Sequence, residues 1–410
     1  MATTRQTAAA DELSCAGPLE CCIEGFAAQL SGQGYAPDTI RAKRDLLADL
    51  NRWLDGRQLS LAALDERRLR QFQAGRRRRG RMRRGDPATA QQLLQYLRER
   101  GHTALAVQAI DVHPAAVVGR DFEAFLRSER GLSTATVVSY LAVVRRFLRA
   151  RFGRKALRPE QLRAQDLHRF VVSEIERVSR THGKIVITAL RSFMRFLLLR
   201  GAVQTDLART LPGVATWRLS HLPRSLLPEQ VERLLTCCDR GSPSGTRDYA
   251  ILLLLARLGL RGGEVLNMVL EDLDWERGEL VVRGKGPRLE RLPLPADVGA
   301  AVARYLHEVR PPCATRRVFV RMMAPHQDLE QSAVCCVVRR ALARAGLDPE
   351  RKGAHLLRHS LATNLLRRGA SLSEIGQLLR HRQPTTTQIY AKVDIEALRG
   401  IALPWPGGAS

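Results

Sequence analysis

The sequence predicts a mainly α-helical protein with a small antiparallel β-sheet: two helical modules in the N-terminal half, followed by an α+β domain. Three observations carry this. The N-terminal half repeats itself at a constant offset. Most runs between turn signals have helical periodicity. One short stretch in the C-terminal half reads as a pair of strands around a glycine-rich turn. At 410 residues and 45% hydrophobic content the chain is long enough for two or three domains, each with its own core.

The repeat begins with Gly34-Tyr35-Ala36-Pro37-Asp38-Thr39, which matches Gly131-Leu132-Ser133-Thr134-Ala135-Thr136. A helical pattern follows each, through Leu47, Leu50 and Leu54 in the first copy and Leu141, Val144 and Phe147 in the second. Leu59, Leu64, Leu69 and Phe72 then align with Leu157, Leu162, Leu167 and Phe170 at one offset. Each copy closes with a further helix, at Arg100-Gly101 and at Arg200-Gly201. The expected modules are residues 1–110 and 111–215, joined by a linker over 216–226 to a domain spanning 227–397, with a tail at 398–410.

In that third domain Leu227-Pro228-Glu229 opens a helix, with proline and acid in its first turn. Tyr249 to Leu260 is apolar enough for a buried helix. Leu280-Val281-Val282 and Leu292-Pro293-Leu294 flank Gly284-Lys285-Gly286-Pro287 and predict a β-hairpin. Beyond about Ser332 the pattern is helical, with breaks at Gly346, Gly369 and Pro384.

The formal net charge is +25, and the excess is spread along the chain. A basic globular protein is most simply a polyanion binder, and nucleic acid is the commonest polyanion. Between the third and fourth expected helices lies a run from Gly75 to Gly85 that carries Arg76, Arg77, Arg78, Arg79, Arg81, Arg83 and Arg84. We expect a solvated loop that lies along DNA phosphates, with Arg177, Arg180 and Lys184 as a milder equivalent in the second copy. Six of the eight cysteines form the adjacent pairs Cys21-Cys22, Cys237-Cys238 and Cys335-Cys336, and no CxxC is present. They read as small core residues, and no metal site is expected. No run reaches about 18 apolar residues, and the start, Met1-Ala2-Thr3-Thr4-Arg5, has no signal-peptide core. A cytoplasmic protein without a membrane partner is expected.

The chemistry sits in the C-terminal domain. His355-Leu356-Leu357-Arg358-His359, Leu379-Arg380-His381 and Thr386-Thr387-Gln388-Ile389-Tyr390 follow one another, with Gly259-Leu260-Arg261 and Gly284-Lys285-Gly286 upstream. Attack of a tyrosine on a phosphodiester needs cations for the charge that builds on the phosphoryl oxygens. It also needs a base for a phenol of pKa about 10 and an acid for the departing oxygen. Arginine suits the first role because its planar fork makes bidentate contact with phosphate. Histidine or lysine suits the others. Lys285 is one of six lysines and Tyr390 one of six tyrosines.

In this order and spacing the strings resemble the tyrosine recombinase, or phage integrase, family over about residues 215–400. The segment 118–201 resembles, more weakly, the family's helical core-binding (SAM-like) domain. The resemblance implies a site-specific DNA recombinase encoded by a mobile element, an integrase or transposase. It implies that Arg261 and Arg358 clamp the scissile phosphate and that Lys285 is the general acid. His355 would assist proton transfer at the tyrosine, His381 would stabilise the transition state, and Tyr390 would be the nucleophile of a 3′-phosphotyrosyl intermediate. Neither cofactor nor ATP is implied. The implied partners are double-stranded DNA, further protomers in a homotetramer, and other recombinases or accessory proteins. His359 reads as support for the core or for the His355–Arg358 pair, and Glu264 as orienting a cation or the helix.

Two positions depart from the family pattern. Gly262-Gly263 replaces apolar and small polar residues, which weakens a helix, and Arg380 stands where glycine is usual. The tail residues Val393, Ile395, Leu398, Ile401 and Leu403 are expected to dock on a neighbouring protomer. Two rival readings are a type IB topoisomerase, which uses the same attack, and a DNA-binding accessory protein with a degenerate site. The duplicated N-terminal half favours recombination over the former, and the filled catalytic positions speak against the latter.

Overall fold

The computed structural model describes residues 17–104, 114–153, 155, 157–177, 180–213, 224–284, 289–381 and 383–393. The expected 216–223 part of the linker, the Lys285 turn and the tail beyond Val393 lie outside them. The chain divides into two units, Ala106–Ser220 and a second that joins Met1–Leu105 to His221–Ser410.

The first helical set comprises α1 (Glu20–Gly32), α2 (Pro37–Asp55), α3 (Glu66–Arg78) and α4 (Asp86–Glu99). Their apolar stripes meet in one core that includes Leu47, Leu50, Leu54, Leu64, Leu69 and Phe72. α3 starts at Asp65, whose carboxylate accepts the Arg68 N–H at 2.7 Å, a side-chain cap for an otherwise orphaned donor. It runs on through Arg78, so the arginine run expected as a loop is helical in its first part.

The Ala106–Ser220 unit holds α5 (Pro114–Ala124), α6 (Thr134–Phe152), α7 (Ala164–Ile175) and α8 (Arg180–Leu199). A separate core fills it, including Leu141, Val144, Phe147, Leu162, Leu167 and Phe170. Phe122 packs edge-on against Phe193 with ring centroids 5.1 Å apart, which ties α5 to α8. The two helical sets match element by element. α2 and α6 are each 19 residues long, and α3 and α7 are 13 and 12. A single 3₁₀ turn precedes α3 at Leu61–Ala63 and α7 at Pro159–Gln161.

The remaining elements build the α+β part. α9 (Pro228–Thr236) leads to α10 (Pro243–Arg257), whose run from Ala250 to Ala256 is buried throughout. α10 is therefore the central helix, and α12 (Ala296–Arg304), α13 (Ala333–Arg344) and α14 (Ala354–Arg367) pack on it. A three-stranded antiparallel sheet of β1 (Leu273–Asp274), β2 (Glu279–Arg283) and β3 (Leu289–Pro293) has the order β1-β2-β3. Leu280 and Val282 of β2 point into the core, and β2 pairs with β3 from Glu279↔Pro293 to Arg283↔Leu289. This is the hairpin expected from the sequence. α11 (Gly262–Asn267), α15 (Leu372–Leu378), the one-turn α16 (Pro384–Thr387) and a 3₁₀ turn at Gln388–Val393 complete the chain. Within this unit the α1–α2 turn touches the 321–328 segment: the His326 N–H donates to the Gln33 carbonyl at 3.0 Å. Gly34 allows the approach, because a Cβ there would lie 2.0 Å from the His326 ring.

Candidate active site

The site forms where α11, α14, α15 and the Gln388–Val393 turn meet the β2–β3 hairpin. Gly259, at φ +58°, ends the α10 segment, and a Cβ there would collide with Leu379. The break sets Arg261 at the N-cap of α11. Glu264, one turn on, closes a box: its carboxylate accepts the Arg261 backbone N–H at 2.8 Å and the Arg261 guanidinium at 2.6 Å. The paired glycines begin α11 and are not interior to it. A Cβ on Gly262 would lie 3.3 Å from the Ala354 Cβ, so glycine lets the start of α14 pack closely.

α14 carries His355, Arg358 and His359 on neighbouring positions of one turn. Arg358 is 3% exposed and donates to the carbonyls of Gly259 and Leu379. Burial, then Arg261 and Arg380 nearby, bring its pKa down to about 10. α15 ends in a Schellman motif. The Arg380 N–H bonds the Gln377 carbonyl and the His381 N–H bonds the Gly376 carbonyl, both at 2.9 Å. That motif demands a left-handed residue, and Arg380 adopts φ +55°. Its guanidinium is buried, at 3.0 Å from the Glu264 carboxylate, and its carbonyl accepts from Arg261 at 3.3 Å. Glu290 of β3 lies 3.8 Å from Arg380 on its other side, so three arginines cluster about Glu264 and Glu290.

Tyr390 is 1% exposed, and its hydroxyl lies 2.8 Å from His359 Nδ1. The His381 ring lies parallel to the Tyr390 ring, 6.4 Å between centroids, and His381 Nδ1 bonds the Thr387 hydroxyl at 2.7 Å. Burial pushes the Tyr390 phenol up to about 12, opposed by the Arg358 charge. His359 and His381 are both brought down to about 4, first by burial and then by neighbouring positive groups. His355 is lowered for the same reasons. Both rings beside the tyrosine are therefore neutral at pH 7.

A cleft of about 910 Å³ opens beside these groups, lined among others by Arg261, Glu264, Gly284, Gln377, Arg380 and His381. Of the residues singled out from the sequence, Arg261, His355, Arg358, His381 and Tyr390 come together here. Lys285 lies outside the described residues, though Gly284 and Glu290 at the ends of its turn line the cleft. Sequence reasoning missed three partners: His359 as the hydrogen-bond partner of Tyr390, Thr387 as that of His381, and Arg380 as a member of the Glu264 node. Among the described residues no group of His, Cys, Asp and Glu could hold a metal ion.

Away from the cleft, Arg77, Arg78, Arg79, Arg81, Arg83 and Arg84 are exposed. Arg76 instead turns inward, 12% exposed, and pairs with Asp49 and Asp86. Arg177 and Lys184 are exposed in the other unit, and the side chain of Arg180 lies outside the described residues.

The phage integrase family model matches residues 224–396, and the phage integrase N-terminal SAM-like domain model matches 120–201. Among curated proteins the chain is similar to the integrase/recombinase y4rA of Sinorhizobium fredii (strain NBRC 101917 / NGR234), 44% identical over 396 residues and 96% of each chain. This chain is a tyrosine recombinase of the phage integrase family. The recombinase is also similar to XerD of Listeria monocytogenes serotype 4b (strain F2365), 31% identical over 67% of this chain and 93% of that one. Its fold is that of two solved recombinases. XerH in a post-cleavage complex with palindromic difH substrate gives a TM-score of 0.55 at 20% identity, over 75% of this chain and 92% of that one. A lambda integrase dimer bound to a COC′ core site gives 0.52 at 18%, over 72% and 99%. Membership makes it a DNA strand breaking-and-rejoining enzyme. No helix among the described residues is long and apolar enough to cross a membrane.

Proposed function

We propose that the recombinase is the integrase or transposase of a mobile element, and that it cuts and rejoins double-stranded DNA through a 3′-phosphotyrosyl intermediate. The convergence of Arg261, Arg358 and His381 on one node beside Tyr390 carries this reading. The two guanidiniums would hold the non-bridging oxygens as negative charge builds on them, where low dielectric magnifies their effect. The Tyr390 oxygen would attack phosphorus, and the bond to the 5′-oxygen would break. Lys285 would donate a proton to that leaving oxygen. His355 would take up the phenol proton, and His381 would donate a hydrogen bond to the phosphoryl group. The phosphotyrosyl ester keeps the bond energy, so a second 5′-hydroxyl can displace the tyrosine and reseal the strand without ATP.

The buried phenol, with its raised pKa, is an unactivated nucleophile. Substrate entry would move the Gln388–Val393 turn and bring the phenol from its 2.8 Å contact with His359 Nδ1 to His355. We place the reaction in the cytoplasm, in a homotetramer on DNA in which each tail docks on a neighbour, with other recombinases or accessory proteins joining where a site requires them. Names borne by the relatives favour recombination over a topoisomerase or a purely accessory role.

The test is covalent trapping. Nicked duplexes taken from DNA flanking the gene are incubated with wild type and with Tyr390→Phe. A denaturation-resistant adduct on a 3′-phosphate is expected with wild type alone. Binding with no adduct from wild type would refute the reading.

A further inference from the structure

The α1–α4 set lies outside both matched family segments, which cover 120–201 and 224–396. We infer that it is a second copy of the SAM-like module and carries a site of its own for the phosphate backbone of duplex DNA, formed by the C-terminal turn of α3 and the loop that follows. The inference rests on the reading of the chain as a DNA recombinase, and it adds a binding site to that reading.

Two independent observations support it. The first is the duplication. The lengths of the second and third helices, the 3₁₀ turn before the third helix and the buried positions agree between the two sets, Leu64 with Leu162, Leu69 with Leu167, Phe72 with Phe170, while the fourth helix is longer in the second set. Each copy enters its second helix through a glycine at positive φ, Gly34 and Gly131, and leaves its fourth through another, Gly101 and Gly201. A left-handed glycine ends many helices, so the weight lies in its recurrence at both joints of both sets together with the matching buried positions.

The second is charge. Arg77, Arg78, Arg79, Arg81, Arg83 and Arg84 are all exposed, and among the described residues none is ion-paired. Elsewhere in the module some exposed arginines have acids, Arg41 with Asp38, Arg44 with Glu24 and Arg52 with Asp49, whereas Arg57, Arg67, Arg70 and Arg100 have none but are scattered; what sets the Arg77–Arg84 stretch apart is that its unpaired cations lie together. The unpaired cations sit on a loop that is tied down. Arg76 pairs with Asp49, reaches Asp86 at 3.3 Å and donates to the Arg81 carbonyl at 2.9 Å, and Asp86 accepts the Arg83 N–H at 3.0 Å. Arg76 therefore organises the patch and does not itself touch the ligand. The loop surrounds a concavity of about 400 Å³ lined by Arg77, Gly80, Met82, Arg83, Arg84 and Pro87. Guanidiniums without acids, carried on a backbone that is held in place, lose little on meeting phosphate, because no internal ion pair must break.

The experiment measures the salt dependence of binding by the full-length protein to a duplex of arbitrary sequence. Three proteins are compared with wild type. One has all six arginines changed to glutamine, one only Arg81→Gln, Arg83→Gln and Arg84→Gln, which lie outside the helices, and one the ion-paired Arg41→Gln, Arg44→Gln and Arg52→Gln on α2. The six-fold variant should bind about tenfold or more weakly, with a log–log salt slope shallower by roughly 0.9 for each phosphate that is no longer neutralised. The loop variant should show part of that change and the α2 control almost none. An unchanged slope in the six-fold and loop variants, or an equal change in the control, overturns the site. So does equal competition by single strands, which would show that the patch does not select duplex. These readouts need no cleavage, so a catalytically silent protein would fail the trapping test and leave this one intact.

Discussion

Arg380 is a charged side chain in a backbone slot that suits glycine, and it stays there because its guanidinium has a buried carboxylate to meet. A non-glycine residue in the left-handed region costs about 1–2 kcal/mol. Removing one partner of a buried ion pair costs about 3–5 kcal/mol, and Arg380 and Glu264 are 5% and 6% exposed at the side chain. The ion pair outweighs the strain, though Glu264 keeps Arg261 and so loses less than a fully abandoned carboxylate. Arg380→Gly should therefore destabilise the protein by about 1–3 kcal/mol, although it installs the residue that the Schellman motif prefers. Denaturant titration measures this. A variant more stable than wild type would show that backbone strain dominates. His359 makes a related point. His355 and His359 flank one turn of the same motif, and periodicity treats both as facing the site. Which ring meets the tyrosine depends on where the Gln388–Val393 turn folds back, thirty residues downstream, and no local pattern encodes that.

At the scale of elements, the hairpin and the central helix were legible because each has a single dominant cause. Apolar runs at Leu280-Val281-Val282 and Leu292-Pro293-Leu294 on either side of a glycine-rich turn mark the hairpin, and the apolar stretch from Tyr249 to Leu260 is long enough for a helix buried on all sides. The boundaries of α3 and α11 were not legible, because both depend on tertiary partners. The arginine run stays helical through Arg78 since Arg76 finds Asp49 on α2. Gly262-Gly263 reads as a weak point in sequence, yet the two glycines differ once α14 is in place. A Cβ at Gly262 would meet Ala354 at 3.3 Å, whereas one at Gly263 would meet nothing within 4 Å. Gly263→Ala should then be neutral or stabilising by up to about 1 kcal/mol. Gly262→Val should push the start of α14, and with it His355, away from Arg261. We expect it to slow adduct formation about tenfold or more, as small displacements in a positioned site do. Equal cleavage rates for the two variants would show that the close approach of α11 and α14 does not position the site.

The molecule as a whole carries a formal charge of +25 with its histidines neutral, and its catalytic centre buries three of those histidines among cations. The pKa values of His359 and His381 fall from an ordinary 6.5 to about 4, and that of His355 is also lowered. The groups that face them are mostly cations: Arg358 for all three, with Arg261 for His355 and His381, Arg380 for His381 and Arg351 for His359; the rings also act on one another, His355 on His359 and His359 on His381. Glu264 acts the other way on His355 alone. The sign of the linkage follows. Between about pH 6.5 and pH 4 the unfolded chain binds protons at these rings and the folded chain does not, so stability rises with pH across that window. It is fully present above pH 6.5 and is lost as pH falls through 4. Acid should thus unfold the free protein before most carboxylates titrate, and the self-repulsion of a cation-rich chain adds to the effect. Calorimetric melting at pH 7.5 and pH 5 should show a marked drop for wild type and a smaller one for His359→Gln/His381→Gln. A drop of the same size in both proteins would mean that these rings titrate alike in the folded and unfolded chain, and that they are not the neutral, desolvated pair that holds Tyr390 in its resting place.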